Sequence, residues 1–496
     1  MVADGGRAGN VAAVAGRGAP GAGCRPARRS GTIAAAMKQD VNLAICGHAW
    51  HGKSTLIGKT AVELGMVGRR RLQHFEELAR QGRDPSLIFA LMVFRQKDVT
   101  HRMDEAARGI TVLPSFVRFE FERHRVTVID TPGQETYTNN RFAGMFSADC
   151  ALLVVDVKEG VEKVTEQALR VLRGYEIPLR GVAITKMDRV NYAQQAFEEC
   201  VELVRLALRS YDLPDEEVVF IPTSAYAPGR PLLEPGVGLT ARSRRLDWYD
   251  GPTFHDFMAG LDLRVIRPES PLRIVIHSAD IHEQVPGVGT AFTGLVESGT
   301  VRRDDMLIFE PSSRELGEPL TASVRSLELT RGHLATPGIG IEQAHPRQLI
   351  GVALRQISTR ASLRELWKGH GTVAGHQDEP PSVASELEVE AAFFDHDLQV
   401  HPGQHLTLHV HMDRVSVEIL SLDPGPVGAT PAARGRKERD KGDVTLVPGQ
   451  WVKMALRAVR PVAIEEASRL APLSKVVFRL DNRPIGIGRC VRILRR

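Results

Sequence analysis

One segment, residues 47–54, restricts the possible folds of this chain more than any other part of its sequence. It reads Gly-His-Ala-Trp-His-Gly-Lys-Ser and matches the phosphate-loop pattern G-x-x-x-x-G-K-[ST]. Residues 41–46 before it predict a strand, and residues 54–64 after it predict a helix. In such a loop, glycines let backbone N–H groups surround phosphates, the lysine reaches the β and γ phosphates, and the serine hydroxyl binds Mg²⁺. The predicted phosphate-binding residues are Gly47, His48, His51, Gly52, Lys53, Ser54 and Thr55.

Alternating strand and helix patterns continue to about residue 266. Continuous apolar stretches separated by helical patterns indicate a mostly parallel sheet covered on both faces. After Pro268 the chain is rich in strand patterns punctuated by Gly and Pro, which indicates small β-barrels. We therefore predict a doubly wound α/β P-loop domain followed by two β-barrel domains. The predicted boundaries are 37–266, 267–368 and 369–496, with a polar linker at 369–381.

A second phosphate-side element is Asp-Thr-Pro-Gly at residues 130–133, which follows a predicted strand. An aspartate at the carboxyl end of a neighbouring strand can hold Mg²⁺ through water, and the Gly133 amide can contact the γ-phosphate. Arg-Gly-Ile-Thr at 108–111 lies between this element and the phosphate loop. A hydroxyl there would bind Mg²⁺ in the triphosphate state only. The predicted metal ligands are Ser54, Thr111 and Asp130.

The residues that bind the base are predicted at the ends of the next two strands. Thr-Lys-Met-Asp at 185–188 supplies a carboxylate that can accept both N–H groups of the guanine edge, and it supplies a lysine stem that packs on the base. In Thr-Ser-Ala at 223–225, a small residue lets a backbone N–H reach the guanine oxygen. The predicted base-binding residues are Thr185, Lys186, Asp188, Ser224 and Ala225. The predicted ligand is therefore GTP or GDP with Mg²⁺.

Composition and cysteine usage favour an ordinary cytoplasmic protein. Hydrophobic residues make up 43% of the chain and charged residues 25%, and the net charge of +4 permits an RNA partner without requiring one. The five cysteines are scattered, with neither disulfide nor metal-ligand spacing. No apolar run approaches the roughly 20 residues that span a bilayer. We expect a monomer without a membrane segment. Residues 1–36 are interpreted as a disordered tail, a transit peptide or an over-long start before Met37.

The motifs, in this order, resemble those of the translational GTPases, and the two histidines of the phosphate loop are typical of that class. Closer features resemble elongation factor 1-alpha: a long helical insertion at 65–107, Trp-Tyr-Asp-Gly-Pro-Thr at 248–253 and His-Pro-Gly-Gln at 401–404. The resemblance implies GTP hydrolysis triggered on the ribosome, with aminoacyl-tRNA or a release or rescue factor as the partner. The GTPase subunit of sulfate adenylyltransferase shares this layout and stays an alternative, although it tends to carry an acidic pair in place of these histidines.

Three positions depart from the family pattern. Trp50 replaces the usual Asp of the phosphate loop, and Thr185 replaces the usual Asn of the guanine motif. Gln134 replaces the usual His that positions the attacking water, a task that Gln performs in Ras-type GTPases. The predicted catalytic residues are Gln134, Lys53 and Thr111. The departures indicate a divergent paralogue, and they leave open a nucleotide-binding regulator with little turnover.

Overall fold

The computed structural model describes most of the chain from Lys38 onward, within the unit Lys38–Arg496. The described residues are 38–82, 88, 115–134, 137, 141, 144–261, 270–285, 288–329, 339–359, 361–367, 371–394, 398–423, 444–446, 451–480 and 483–496. Residues 1–36, Thr111 and most of the insertion at 65–107 lie outside them. The part of the insertion that is described contains a helix, Arg69–Arg80, as the sequence predicts.

The first region is a six-stranded sheet with helices against it. Its strands are β1 Gln39–Cys46, β2 Ser115–Glu120, β3 His124–Asp130, β4 Cys150–Asp156, β5 Leu179–Thr185 and β6 Val219–Pro222. Its helices are α1 Lys53–Glu63, α2 Arg69–Arg80, α3 Lys163–Gly174, α4 Gln194–Ser210 and α5 Phe254–Ala259, with 3₁₀ turns at Met187–Val190 and Arg244–Leu246. The strand order is β2-β3-β1-β4-β5-β6, parallel except for β2.

Strand β4 shows why the sequence signal for this sheet is a continuous apolar run. All seven of its residues are buried, because successive side chains enter cores on opposite faces of the sheet. Leu153 belongs to the core on one face, and Leu152 and Val154 belong to the core on the other. The doubly wound α/β fold is therefore confirmed.

The second region is a β-structure whose main strands form a closed ring. Its strands are β7 Arg273–Val285, β8 Gly289–Ser298, β9 Val301–Arg302, β10 Met306–Glu310, β11 Thr321–Leu329, β12 Ile339–Ile341, β13 Gln343–Ala344, β14 Leu349–Arg355 and β15 Val373–His376, with short helices α6 Ser312–Leu316 and α7 Leu363–Leu366. The main sheet has the order β10-β15-β7-β8-β14-β11-β12, and the additional pairing of β10 with β11 closes the ring. Inside it, the Trp367 ring is buried against Phe292 and Phe309.

The predicted linker at 369–381 needs a correction. Strand β15 lies inside that stretch and pairs with both β7 and β10, so the stretch contains a strand of the second region. The strand is short and carries two small residues, Ala374 and Gly375, which is why its sequence resembles a loop. A side chain at Gly375 would come within 2.9 Å of Pro381, and this close packing excludes a larger residue.

The third region is a closed barrel of the order β16-β21-β19-β18-β22-β23. Its strands are β16 Val383–Phe393, β17 Leu398–Val400, β18 His405–Val410, β19 Asp413–Asp423, β20 Val444–Leu446, β21 Trp451–Ala463, β22 Lys475–Leu480 and β23 Arg483–Arg495, with α8 Ala467–Leu470 and a 3₁₀ turn at Ala471–Ser474. Alternate residues such as Leu406, Leu408 and Val410 fill its core. Among the described residues, no helix is both long and apolar enough to cross a membrane.

A buried arginine joins the second region to the first. Arg347 precedes β14 and adopts φ 71°, in the left-handed region that favours glycine. Its Nε lies 2.7 Å from Asp149 Oδ1, and its Nη2 donates to the Ser147 carbonyl at 2.9 Å. Its Nη1 pairs with Glu297 of β8, and its own carbonyl accepts from Asn42 Nδ2 at 3.2 Å. We call these five residues the Arg347 joint.

Candidate nucleotide site

The phosphate loop connects β1 to α1 at the carboxyl edge of the sheet. Gly47 and Gly52 have φ of 137° and 95°, and a side chain at Gly47 would strike the carbonyl oxygen of Val154. Glycine is therefore required at both ends of the loop. Trp50 adopts φ 60° between them, and 64% of its side chain is exposed. The loop thus holds an unusual backbone conformation at three positions, as a phosphate cradle requires.

Lys53 is the first residue of α1, and its side chain turns back into the loop. Its Nζ donates to the carbonyls of Gly47 and His48 at 2.9 and 2.7 Å. Burial lowers the pKa of Lys53 to about 8, although the nearby Asp130 carboxylate acts to raise it. The ammonium is thus held inside the loop and only partly compensated, which is the state that an anionic phosphate would stabilise.

The predicted metal side of the site is assembled at the ends of α1 and β3. The Ser54 hydroxyl donates to Asp130 Oδ2, so these two predicted ligands lie against each other. A Cβ at Gly133 would lie 2.7 Å from the Ala49 nitrogen, so the Asp-Thr-Pro-Gly turn touches the phosphate loop and needs its glycine. A hydroxyl and a carboxylate oxygen are ligands that suit Mg²⁺, and the pair fits that ion.

Thr185 ties the guanine motif to the phosphate loop. Its hydroxyl lies 2.6 Å from the His51 carbonyl and 3.2 Å from the Val155 carbonyl. The first of these contacts joins the end of β5 to the loop through a side-chain oxygen. The replacement of Asn by Thr therefore keeps a hydrogen-bonding side chain at this junction.

The other predicted base-binding residues meet at the ends of β5 and β6. Ser224 Oγ donates to Asp188 Oδ1 at 2.6 Å, which orients that carboxylate. The Ser224 N–H donates to the Val237 carbonyl at 3.0 Å, and Ala225 is the next residue of this turn. Lys186 adopts φ 58° beside them. The geometry therefore places Thr185, Lys186, Asp188 and the Ser-Ala turn along the carboxyl edge of the sheet.

The remaining predicted residues are placed less completely. His48 and His51 have ring centroids 5.3 Å apart, and burial, followed by the charge of Lys53, lowers the pKa of His51 to about 4. Thr55 lies in the first turn of α1. Gln134 follows the Gly133 turn and is half-buried. Thr111 lies outside the described residues, so its predicted metal role stays a prediction.

Among the described residues near the site, four charged ones that belong to none of the sequence motifs are Asp156, Arg189, Glu159 and Arg141. Asp156 ends β4 and contacts both Lys186 and Arg189. Glu159 lies 3.2 Å from His51, and the buried Arg141 donates to Gln167 at 3.0 Å. Asp156 had a usable signal, because it ends a buried strand beside the phosphate loop as Asp130 does. The other three lack one, since their spacing to the motifs carries no pattern.

Comparison with known proteins agrees with this geometry. Residues 38–231 match the family model described as the elongation factor Tu GTP binding domain. Elongation factor 1-alpha of Nanoarchaeum equitans is 31% identical over 451 residues, which cover 91% of this chain and 96% of that protein. The chain belongs to the elongation factor 1-alpha family. The protein of the same name from Aeropyrum pernix is 30% identical over 468 residues, again covering 91% of this chain and 96% of the relative.

Solved structures share the fold of this elongation factor 1-alpha relative. The GTPase-like domain of Ski7 from S. cerevisiae, bound to GTP, has a TM-score of 0.72 at 16% identity and covers 92% of this chain and 97% of its own. Translation elongation factor SelB from Methanococcus maripaludis, with the GTP analogue GppNHp, has a TM-score of 0.61 at 18% identity and covers 92% and 80%. These likenesses concern the fold alone.

Family membership favours a translation factor over the sulfate adenylyltransferase subunit. The chain is an elongation factor 1-alpha-like translational GTPase, and guanine-nucleotide binding and GTP hydrolysis are general properties of that family. The prediction of this family and of its three-part layout is confirmed. The sulfate adenylyltransferase subunit is not favoured, since the relatives reported above are elongation factors.

Proposed function

We propose that this chain binds GTP with Mg²⁺, hydrolyses it, and acts on the ribosome with a bound aminoacyl-tRNA or release-like protein factor. The observation that carries the proposal is the phosphate loop, in which the buried Lys53 ammonium lies against two loop carbonyls beside the Ser54–Asp130 pair. A site of this construction binds an anionic polyphosphate more strongly than it binds a neutral ligand.

The charged and polar residues at the centre of the site then have chemical tasks. Lys53 moves from the loop carbonyls to the β and γ phosphates, where its positive charge compensates the charge that develops as the terminal phosphoryl group leaves. The glycine-rich loop contributes backbone N–H groups to the same phosphates. Asp188 accepts the two N–H groups of the guanine edge, and Ser224 holds that carboxylate in place. The N–H of Ala225 meets the guanine oxygen.

The metal ligands are Ser54, Thr111 and, through water, Asp130. When bound, Mg²⁺ supplies positive charge that neutralises the phosphate oxygens. Because the Ser54 hydroxyl uses its hydrogen to donate to Asp130, that hydrogen bond does not compete with metal binding through a lone pair of Oγ.

Gln134 is the residue that we assign to the attacking water. It follows the turn that touches the phosphate loop, so its amide carbonyl can accept a hydrogen bond from a water aligned with the γ-phosphate. A glutamine orients water without changing its own charge at any pH near neutral, whereas a histidine titrates in that range. We expect hydrolysis by this chain to depend less on pH than hydrolysis by a relative with histidine at this position.

The domain boundaries need one change from the sequence prediction. We propose a GTP-binding domain at 37–266, a second domain from 267 that includes β15, and a third domain that begins near Val383. This division is supported by the pairing of β15 with β7 and β10, and by β16, which begins at Val383 and belongs to the closed barrel.

The test measures GTP hydrolysis by the full chain with and without ribosomes, beside Gln134→His. We expect the wild type to turn over GTP many times and to be stimulated by ribosomes. Stimulation that appears only in Gln134→His would mark a factor whose activation step differs from that of its relatives. Tight GTP binding without multiple turnover in either protein would contradict the hydrolytic part of the proposal and support a nucleotide-dependent regulator.

A further inference from the structure

A buried carboxylate outside every motif lies between the base side and the phosphate side of the site. Asp156 ends β4, and its side chain is 0% exposed. Its Oδ2 lies 2.8 Å from Lys186 Nζ and accepts a hydrogen bond from Arg189 Nη1 at 2.6 Å. Its Oδ1 accepts the Lys158 N–H at 2.8 Å. Both oxygens of this carboxylate are therefore engaged by donors.

The charge state of Asp156 follows from these contacts. Burial acts to raise its pKa, but the hydrogen bonds from Lys186 and the Lys158 N–H, with the charges of Lys186 and Arg189, outweigh burial and lower the pKa below its usual value. Asp156 is thus an anion at neutral pH. A buried anion holds its cationic partners firmly, because removing either partner leaves its charge less well compensated away from bulk water.

The same contacts continue to the phosphate loop. Arg189 Nη1 lies 3.5 Å from Glu159 Oε1, and Glu159 Oε2 lies 3.2 Å from His51 Nε2. The His51 carbonyl accepts a hydrogen bond from the hydroxyl of Thr185, the first residue of the guanine motif. Polar groups within 3.5 Å of one another therefore connect the base-side lysine with the phosphate loop.

The side chain that these contacts order most is that of Lys186. Its backbone is in the left-handed region, and about one third of its side chain is exposed. A free lysine side chain loses a large share of its rotamer entropy when it is ordered. With the ammonium fixed by Asp156, most of that loss occurs on folding, so it does not oppose the packing of the stem on a base.

We propose that Asp156 is a positioning residue of the nucleotide site, which holds Lys186 and Arg189 so that the base-binding segment keeps its place beside the phosphate loop. This inference rests on the proposed function. It deepens that function by assigning part of the nucleotide affinity to a residue that does not touch the nucleotide.

The experiment is Asp156→Asn in the full chain, with Glu217→Gln as the matched control. Asparagine keeps the shape and removes the charge, whereas Glu217 pairs with Arg180 at 2.5 Å with most of its side chain exposed. We expect Asp156→Asn to weaken GDP and GTP binding alike by roughly tenfold, the effect of losing one charge-assisted contact. Saturating kcat should stay within about twofold, since the phosphate side is unchanged. Glu217→Gln should leave all values unchanged.

Two further readouts separate positioning from a general structural role. The ratio of GDP to IDP affinity should fall, because Asp188, which recognises the guanine amino group, belongs to the segment that Asp156 holds in place. In a Lys186→Met, Arg189→Met background, Asp156→Asn should cause little further loss of affinity. A tenfold loss that persists in that background would overturn the inference, as would unchanged affinity of the single variant.

Folding and the underlying function are checked in the same series. If Asp156→Asn lowers the melting temperature so far that it unfolds, Arg189→Gln replaces it, with an expected loss of about threefold in GDP affinity. Unchanged affinity in that variant would overturn the inference. If the wild-type chain itself binds neither GDP nor GTP, the proposed function fails. If the wild type binds and Asp156→Asn binds equally well, only the positioning role fails.

Discussion

The nucleotide site and the Arg347 joint are both buried and charged, yet they are built differently. In the nucleotide site, loop carbonyls and a nearby carboxylate balance Lys53, and burial lowers its pKa. In the joint, Arg347 meets two carboxylates and a carbonyl at once. A site whose polar groups are incompletely paired is stabilised when a ligand binds, whereas a cluster whose polar groups are all paired resists disruption. The first arrangement serves binding and the second serves cohesion.

The largest expected effect tests the joint. Arg347→Ala leaves Asp149 and Glu297 buried without their shared cation, so we expect a loss of about 3–5 kcal/mol in the free energy of unfolding. Chemical denaturation followed by circular dichroism measures it. Arg180→Ala removes one arginine from an exposed pair and should cost about 0–1 kcal/mol. Equal losses in the two variants would show that the joint does not provide the cohesion ascribed to it.

Lys53→Ala tests the opposite half of the comparison. We expect GDP and GTP affinity to fall by at least about a hundredfold, equivalent to roughly 2.7 kcal/mol, because the phosphates lose their buried cation. The stability of the unliganded chain should not fall, since a desolvated ammonium is removed. Titration with a fluorescent GDP analogue and thermal melting provide both values. Lys453→Ala, an exposed lysine of the third region, is the control that should bind normally. Unchanged affinity in Lys53→Ala would show that the phosphates bind elsewhere.

The smallest effect is a pH dependence that belongs to the nucleotide site alone. With a pKa of about 8, Lys53 is charged in the free protein below that pH and loses its proton above it. Bound phosphates need the charged form, so binding above pH 8 must recover a proton and becomes weaker as pH rises. The Kd for GDP should increase about fourfold between pH 7 and 8.5. Lys53→Ala should lack this increase, and a flat profile in the wild type would contradict the low pKa.

The same comparison explains what the sequence predicts and what it leaves out. The phosphate loop and the Asp-Thr-Pro-Gly turn are local, because glycines and strand ends determine them within a few residues, and both lie where the sequence predicts them. The joint brings Arg347 against Ser147, 200 positions earlier, and no local pattern records that encounter. Strand β15 was mistaken for a linker because its partners, and not its own residues, determine its conformation.

Trp50 gives the molecule a built-in optical signal. The chain has four tryptophans, of which Trp367 is fully buried and Trp248 and Trp451 are partly buried. Trp50 alone among them is largely exposed, three residues from Lys53. Indole emission shifts to the blue when water is displaced from the ring. Occupation of the phosphate loop should therefore be visible as a change in the red edge of the intrinsic emission, without any added dye, and Trp50→Phe should abolish it.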